Sequence, residues 1–497
     1  MDELIPLKNE TLPHMPETVK VPTYDRSALS AGIVHIGLGN FHRGHQAWYT
    51  HRLMEQGVGY DWAIVGAGVR PNDSKQRERL RAQDYLTTLI ELDPSGKSAE
   101  VIGSMIDFVP VETDNAALIE RIAQPDIRIV SLTVTEGGYY IDPATGEFDS
   151  GHADILHDAK NTRKPRTAFG AMIEALRLRR AAGVSPFTCL SCDNLQGNGA
   201  ILRRTVVSLA RLMDADLASW IERECTFPNS MVDCIVPATG EKELKLARSF
   251  GVDDQAPVTH ENFRQWVIED KFCAGRPPWE KADVTFSDNV HAFEAMKLRV
   301  LNGGHQMIAI PGELVGIETI SGCMAHAGIR RFLRDTLTEE VLPNVRPVPG
   351  MTPASYLDLI DRRFSNPEIV DTTRRVAFDG SSRQPGFIVP SIRDALDNGQ
   401  PVRGLALMSA LWMRYCLGVR EDGSIIEAND PNWSALHAKA HAAKPDPIQW
   451  LRQEQYYGHL VADTRFATAF SAAADMLQTS GVARALEVFA DSHLTDA

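Results

Sequence analysis

Two textures of apolar and polar residues follow one another along the chain. From residue 32 onward, short apolar runs recur: GIVHIG (32–37), WAIVGAGV (62–69), IRIVSLTVT (127–135), FTCLSCDN (187–194) and MVDCIVP (231–237). Between them lie segments of helical period such as AALIERIA (116–123) and AFGAMIEALRLRRAAG (168–183). Apolar runs alternating with amphipathic helices predict a parallel sheet with crossover helices, the doubly wound layout of a Rossmann-type α/β domain. From about Ser287 the texture changes, and helix-period segments follow one another with little strand character, so a mostly α-helical second domain is expected. The boundary is placed between a first domain, 1–286, which includes a proline-punctuated leader of about 30 residues, and a second, 287–497. AGRPPWEKADV before it is proline-rich, and Ser287 or Asp288 can cap the next helix.

The first run leads at once into GLGNFHRGH, in which Gly37 and Gly39 give the sharp turn that brings backbone close to a pyrophosphate at a helix start. The third glycine of a full GxGxxG fingerprint is absent, because position 42 is His42. The setting, after a first strand and before a helix, still points to a dinucleotide. Beyond the second run, Asp73 can accept from a ribose diol and favour NAD, whereas Arg70 can meet the extra phosphate of NADP. The sequence leaves both open.

In the second domain, KLRVLNGGH interrupts an otherwise apolar helix pattern. At 100° per residue Lys297, Asn302 and His305 fall within an arc of about 140°, and Glu294 precedes Lys297 by one turn. Gly303 and Gly304 each cost about 1 kcal/mol relative to alanine inside a helix. That cost suggests that another backbone or a flat ligand comes close.

Bulk numbers narrow the class. At 497 residues, 43% hydrophobic and 23% charged, the chain has the composition of a soluble globular protein of two domains. The net charge of −14 is spread out and no Lys/Arg stripe is dense enough for nucleic acid. No run approaches the ~18 apolar residues of a membrane span, and the acidic, proline-bearing start is unlike a signal peptide. A cytoplasmic protein is expected. The seven cysteines are scattered, and Cys189 and Cys192 point to opposite faces of a strand, so they read as buried thiols. Neither HExxH nor a usable Cys/His cluster is present, so no metal is expected.

The K-x4-N-x2-H constellation of KLRVLNGGH resembles the signature of the polyol-specific long-chain dehydrogenases, the mannitol 2-dehydrogenase family. GLGNFHRGH resembles that family's GxGxFxRxH turn and VTEGGY its VTEKGY loop, and SCDN, MVD and RVAFDGS resemble further blocks. Gly137 and Arg383 stand where lysine is usual. The resemblance implies zinc-independent, NAD(P)-linked interconversion of a polyol and a ketose, most simply D-mannitol and D-fructose, with Lys297 as general base and acid. It also implies that Asn194 and Asn302 donate to the forming alkoxide, that His305 orients Lys297 and substrate, and that Glu294 gates a proton path. Asp233, Arg375 and Arg383 would contact substrate. Gly37, Gly39, Asn40, Phe41, Arg43, Asp73, Thr135 and Glu136 would form the cofactor side. A monomer is expected. A hexuronate reductase acting on fructuronate or tagaturonate, a D-arabinitol dehydrogenase and a non-catalytic nucleotide-binding sensor are the alternatives. A uronate would call on Arg375 and Arg383 as a carboxylate clamp.

Overall fold

The computed structural model describes residues 4–142 and 146–492. The chain divides into two compact units, Met1–His291 and Ala292–Ala497.

In the first unit, five strands form one parallel sheet: β1 (Ala31–Ile36), β2 (Ala63–Ala67), β3 (Met105–Phe108), β4 (Ile129–Leu132) and β5 (Thr188–Ser191). Their order is 3-2-1-4-5. The winding reverses between β1 and β4, and ligands of such sheets bind beyond the strand C-termini at that reversal. Alternation along the strands divides the core in two. Val34, Ile36 and Val130 pack with helices Ala116–Ala123 and Ala168–Ala181. Ile33, Ile64 and Ile129 pack on the other face with the helix Gln46–Glu55 and with Trp266 and Trp279. Covered on both faces, these strands read as near-continuous apolar runs.

Two expectations change. MVDCIVP does not extend this sheet: Ser230–Asp233 pairs antiparallel with Gln265–Ile268 in a separate sheet of three strands. The fifth strand of the sheet is instead β3, whose four residues, MIDF, are too few and too polar to stand out. The antiparallel hairpin of Thr87–Asp93 with Gly96–Ile102 also escapes the apolar pattern, because its second strand, GKSAEVI, starts exposed and polar.

The second unit is built of helices, and the strand pairing among its described residues is confined to isolated bridges. Helix Arg403–Tyr415 is buried around nearly its whole girth and packs on the long helix Thr464–Ser492, which kinks at Gly481, φ 78. No described helix is long and apolar enough to cross a membrane. Cys189 and Cys192 are buried free thiols, pushed up in pKa by desolvation.

Candidate active site

β1 ends at Ile36, and the chain passes through Gly37, φ +90, into the short helix α1 (Asn40–Gly44) capped by Gly39. A Cβ on Gly37 would lie 2.1 Å from the Thr133 carbonyl oxygen, so only glycine fits beside the end of β4. A Cβ on Gly39 would meet nothing nearer than 3.9 Å, which leaves that side of the turn open for a close-lying phosphate. The turn forms one side of a cavity of about 640 Å³, with Arg70, Asp73 and Gln76 beyond β2 and residues 133–135 beyond β4. That is within the usual range for a small-molecule site. Asp73 is the first residue of α2 (Asp73–Arg81), and its Oδ2 accepts the Arg70 backbone N–H at 2.9 Å. A glycine cradle at one point and a fixed carboxylate at another match a dinucleotide's pyrophosphate and adenosine ribose.

Gly37, Gly39, Asn40, Asp73 and Thr135 line this cavity. Phe41 and Arg43 do not. Phe41 packs against the core and stacks on His45 at 5.0 Å, while Arg43 is buried, donating to Asn40 Oδ1 at 2.8 Å and to the Ala256 carbonyl. α1 is helical, so its side chains point around an axis rather than all toward the turn. Glu136 opens the 3₁₀ turn Glu136–Tyr139, and its side chain lies outside the described residues.

The missing third glycine has a physical replacement. His42 stacks on His35 of β1 at 3.5 Å with 15° between the rings, so two flat side chains set the spacing of helix and strand. His35 Nδ1 meets Ser131 Oγ and its Nε2 meets Thr133 Oγ1, both at 2.8 Å. Thr133 Oγ1 donates to the Gly37 carbonyl at 2.7 Å, so the proton of His35 sits on Nε2. This network beneath the turn was not legible in the motif.

Asn194 lies exposed just past β5, and Asp233 is buried at the end of Ser230–Asp233. Sequence reasoning missed Asp193, whose carboxylate accepts the backbone N–H groups of Val134 and Thr135 at 3.0 and 2.9 Å. An acid closing a strand of apolar residues was the available signal.

In the second unit the helix carrying Lys297 changes type. Val290–Met296 is α, Lys297–Asn302 is π, and Gly303–Leu314 is α again. The Gly303 N–H reaches back to the Leu298 carbonyl, five residues earlier. This corrects the α-helical projection: with i→i+5 bonds the turn is wider, and Lys297 and Asn302 stand about 50° apart rather than about 140°. Such π segments are uncommon and are frequent at functional sites. Glu294 and Lys297 are 4% and 8% exposed, a buried acid and a buried amine on one helix.

The two glycines admit no ligand. A Cβ on Gly304 would meet Leu333 at 3.2 Å and Phe364 at 3.5 Å, and one on Gly303 would meet Ile388 and the Phe387 carbonyl at 3.6 Å. What comes close is the rest of the same unit. Phe364 is also the ring on which His305 stacks, at 4.0 Å and 20°. Desolvation pushes the pKa of His305 down to about 3, against the pull of Asp371 and with the help of Arg375, Arg363 and Arg383. Its Nε2 is buried and has no hydrogen-bond partner in the protein, although buried polar atoms are normally satisfied. Arg375 clasps Asp371 with Nε and Nη2, the Nε–Oδ1 contact being 2.5 Å, and Arg383 Nη1 donates to the Val376 carbonyl at 2.5 Å. Among the described residues no three His, Cys, Asp or Glu gather as a metal site.

The mannitol dehydrogenase Rossmann domain matches residues 31–281, and the mannitol dehydrogenase C-terminal domain matches residues 289–478. The chain belongs to the mannitol dehydrogenase family. It is 56% identical to a mannitol 2-dehydrogenase of Cereibacter sphaeroides over 475 residues, 96% of this chain and 99% of that one. It is 41% identical to the mannitol 2-dehydrogenase of Aspergillus terreus, over 96% of each. Among solved structures it resembles the Pseudomonas fluorescens mannitol 2-dehydrogenase in ternary complex with NAD and D-mannitol: TM-score 0.87, 40% identity, 98% of this chain and 99% of that one. It also resembles a substrate-free D-sorbitol dehydrogenase: TM-score 0.89, 36% identity, 97% and 100% covered.

Burial gives this family member a pH signature. Desolvation holds His35, His260 and His305 down to about 3 and His42 well below its usual value. An unfolded histidine titrates near 6.5. The native state therefore binds fewer protons than the unfolded chain between these values, and the stability from each neutral ring, full above about pH 6.5, drains away as pH falls toward 3. Glu340, pushed up to about 7 by burial, and Asp254, also raised, act in the opposite sense. Four rings against two carboxyls leave a net loss, on the order of 1–2 kcal/mol per histidine by pH 5. The thermal midpoint is expected to fall steadily from pH 7 to pH 5 in differential scanning calorimetry. A midpoint flat over that range would show that these rings are protonated in the fold.

Proposed function

We propose that this protein is an NAD-linked polyol dehydrogenase that interconverts D-mannitol and D-fructose, with Lys297 as general base and acid. The observation that carries the reading is a buried lysine sharing one helix with Asn302 and with a neutral His305 whose Nε2 is unpartnered. Lysine in water titrates near 10.4, and burial in general disfavours the charged form of an amine, the condition under which a lysine can serve as a base. Lys297 takes the proton of the reacting hydroxyl and returns it in the reduction direction. Bound NAD supplies the hydride acceptor. The Asn302 amide donates to the oxygen as negative charge builds, a contribution of ~3 kcal/mol for such a donor. His305 Nε2 meets a substrate hydroxyl, and Glu294, one turn before Lys297, gates the route of the proton to water. For Asn194 and Asp233 the support is the motif match.

Two observations favour a neutral substrate and NAD. The side-on Nε/Nη2 face of Arg375 is engaged by Asp371, whose carboxylate offsets the positive charge that a uronate would call on. The Asp73 carboxylate suits a ribose diol and repels a 2′-phosphate.

The test is a panel of D-mannitol, D-sorbitol and D-arabinitol oxidation and of fructose, fructuronate and tagaturonate reduction, each with both cofactors. Mannitol and fructose with NAD are expected to give the highest kcat/KM, with NADP about tenfold or more lower. Turnover confined to the uronates would reject the reading.

A further inference from the structure

The loop after β4 is held in a conformation that its sequence resists. Thr135 has φ +69 and ψ 161, a region ordinarily left to glycine and a genuine outlier for a β-branched residue. Within the loop itself, the Gly138 N–H donates to the Thr135 carbonyl at 3.0 Å. The stronger hold comes from Asp193, at the mouth of β5. Its Oδ1 accepts the Thr135 N–H at 2.9 Å, and its Oδ2 accepts the Val134 N–H at 3.0 Å and the Tyr139 hydroxyl at 2.7 Å. Tyr139 is fully buried and also meets Ser191 Oγ at 2.6 Å. Burial first, then Asp193, push the phenol pKa well up, so it stays a donor. Asn198 donates to the Asp193 carbonyl at 3.0 Å, which fixes residue 193 to the helix Asn198–Met213. One carboxylate, 8% exposed, thus gathers three donors from a single loop. That loop supplies one side of the nucleotide cavity, and the next residue in the chain is Asn194.

We infer that Asp193 is a positioning residue for the nucleotide site: its hydrogen bonds hold Thr135 in a strained backbone state and so fix that side of the cavity against the strand that delivers Asn194. The inference rests on the reading of the cavity as the NAD site. An asparagine at 193 keeps the shape but turns one acceptor oxygen into an NH₂ that faces a donor. With that bond lost, the strained turn relaxes and the side of the cavity moves.

The experiment combines D193N with two substitutions at Thr135. T135A removes the hydroxyl but keeps the positive-φ penalty, whereas T135G removes both. NADH dissociation constants are measured by fluorescence titration of the full chain without substrate. D193N is expected to raise the constant about tenfold or more in the Thr135 and T135A backgrounds, and by no more than about threefold in the T135G background. A merely structural role for Asp193 would give the same factor in all three. Equal factors, or D193N within about twofold of wild type, overturn the inference. If D193N does not fold, recovery of NADH-binding protein in D193N/T135G but not in D193N/T135A supports it, and failure of both overturns it. A wild type that binds no NADH would instead bring down the nucleotide reading, and this inference with it.

Discussion

Lys297→Ala is expected to lower kcat for D-mannitol oxidation by ~10²-fold or more, the usual contribution of a positioned acid–base group. NADH affinity should stay within about twofold, because the loss belongs to the chemical step. Lys297 opens the π segment Lys297–Asn302, and alanine is the better helix former there. Lys297 is 8% exposed, so truncation removes an amine held largely out of water. Steady-state assays with saturating mannitol and NAD, with thermal midpoints run alongside, separate chemistry from stability. Turnover by the alanine variant within about twofold of wild type would remove Lys297 from the mechanism.

Gly37→Ala is expected to abolish detectable NADH binding and to destabilise the first unit by about 3 kcal/mol or more. Two costs coincide at one atom. The backbone is at φ +90, and the new Cβ would sit 2.1 Å from the Thr133 carbonyl oxygen. Thr133 cannot retreat easily, since its N–H is bonded to the Ile36 carbonyl at 3.0 Å and its hydroxyl to both the Gly37 carbonyl and His35. The thermal midpoint should fall by about 2–4 °C for each kcal/mol. Gly39→Ala is the control, because that side of the turn is open: the fold should survive while NADH affinity drops. A Gly37→Ala protein with the wild-type midpoint would show that the turn is soft.

The parts of this protein that were legible in its sequence are those where one physical demand dominates. β1, β2, β4 and β5 must be apolar on both faces, so their runs stand out, and Gly37 must be glycine because no side chain fits. The family resemblance rested on side chains, such as Lys297, that a buried helix would not otherwise carry. Legibility failed where demands compete. β3 is four residues long with an acid inside it, so its period is lost, and MVDCIVP is apolar enough to imitate a central strand while pairing elsewhere. Gly303 and Gly304 show the same ambiguity: a small residue signals close approach but not by what, and here Leu333, Phe364 and Ile388 are the answer. Asp193 and His35 act through backbone groups of residues distant in sequence, and no local spacing reports such contacts.

The π segment also says how this site can change over time. A π turn is an α-helix that has taken in one residue without gaining a turn. Val290–Met296 and Gly303–Leu314 each keep an ordinary helical phase, and the six residues between them absorb the mismatch. Losing one residue from that stretch would hardly shorten the helix. It would leave the Glu294 and His305 ends in phase and close the wide turn between them, whereas losing a residue from either α-helical flank would rotate the two ends by about 100° and swing one set of polar groups off the face it shares with the other. The alignment of base, amide and imidazole is therefore a property of how many residues the helix holds, a variable that substitution alone never explores.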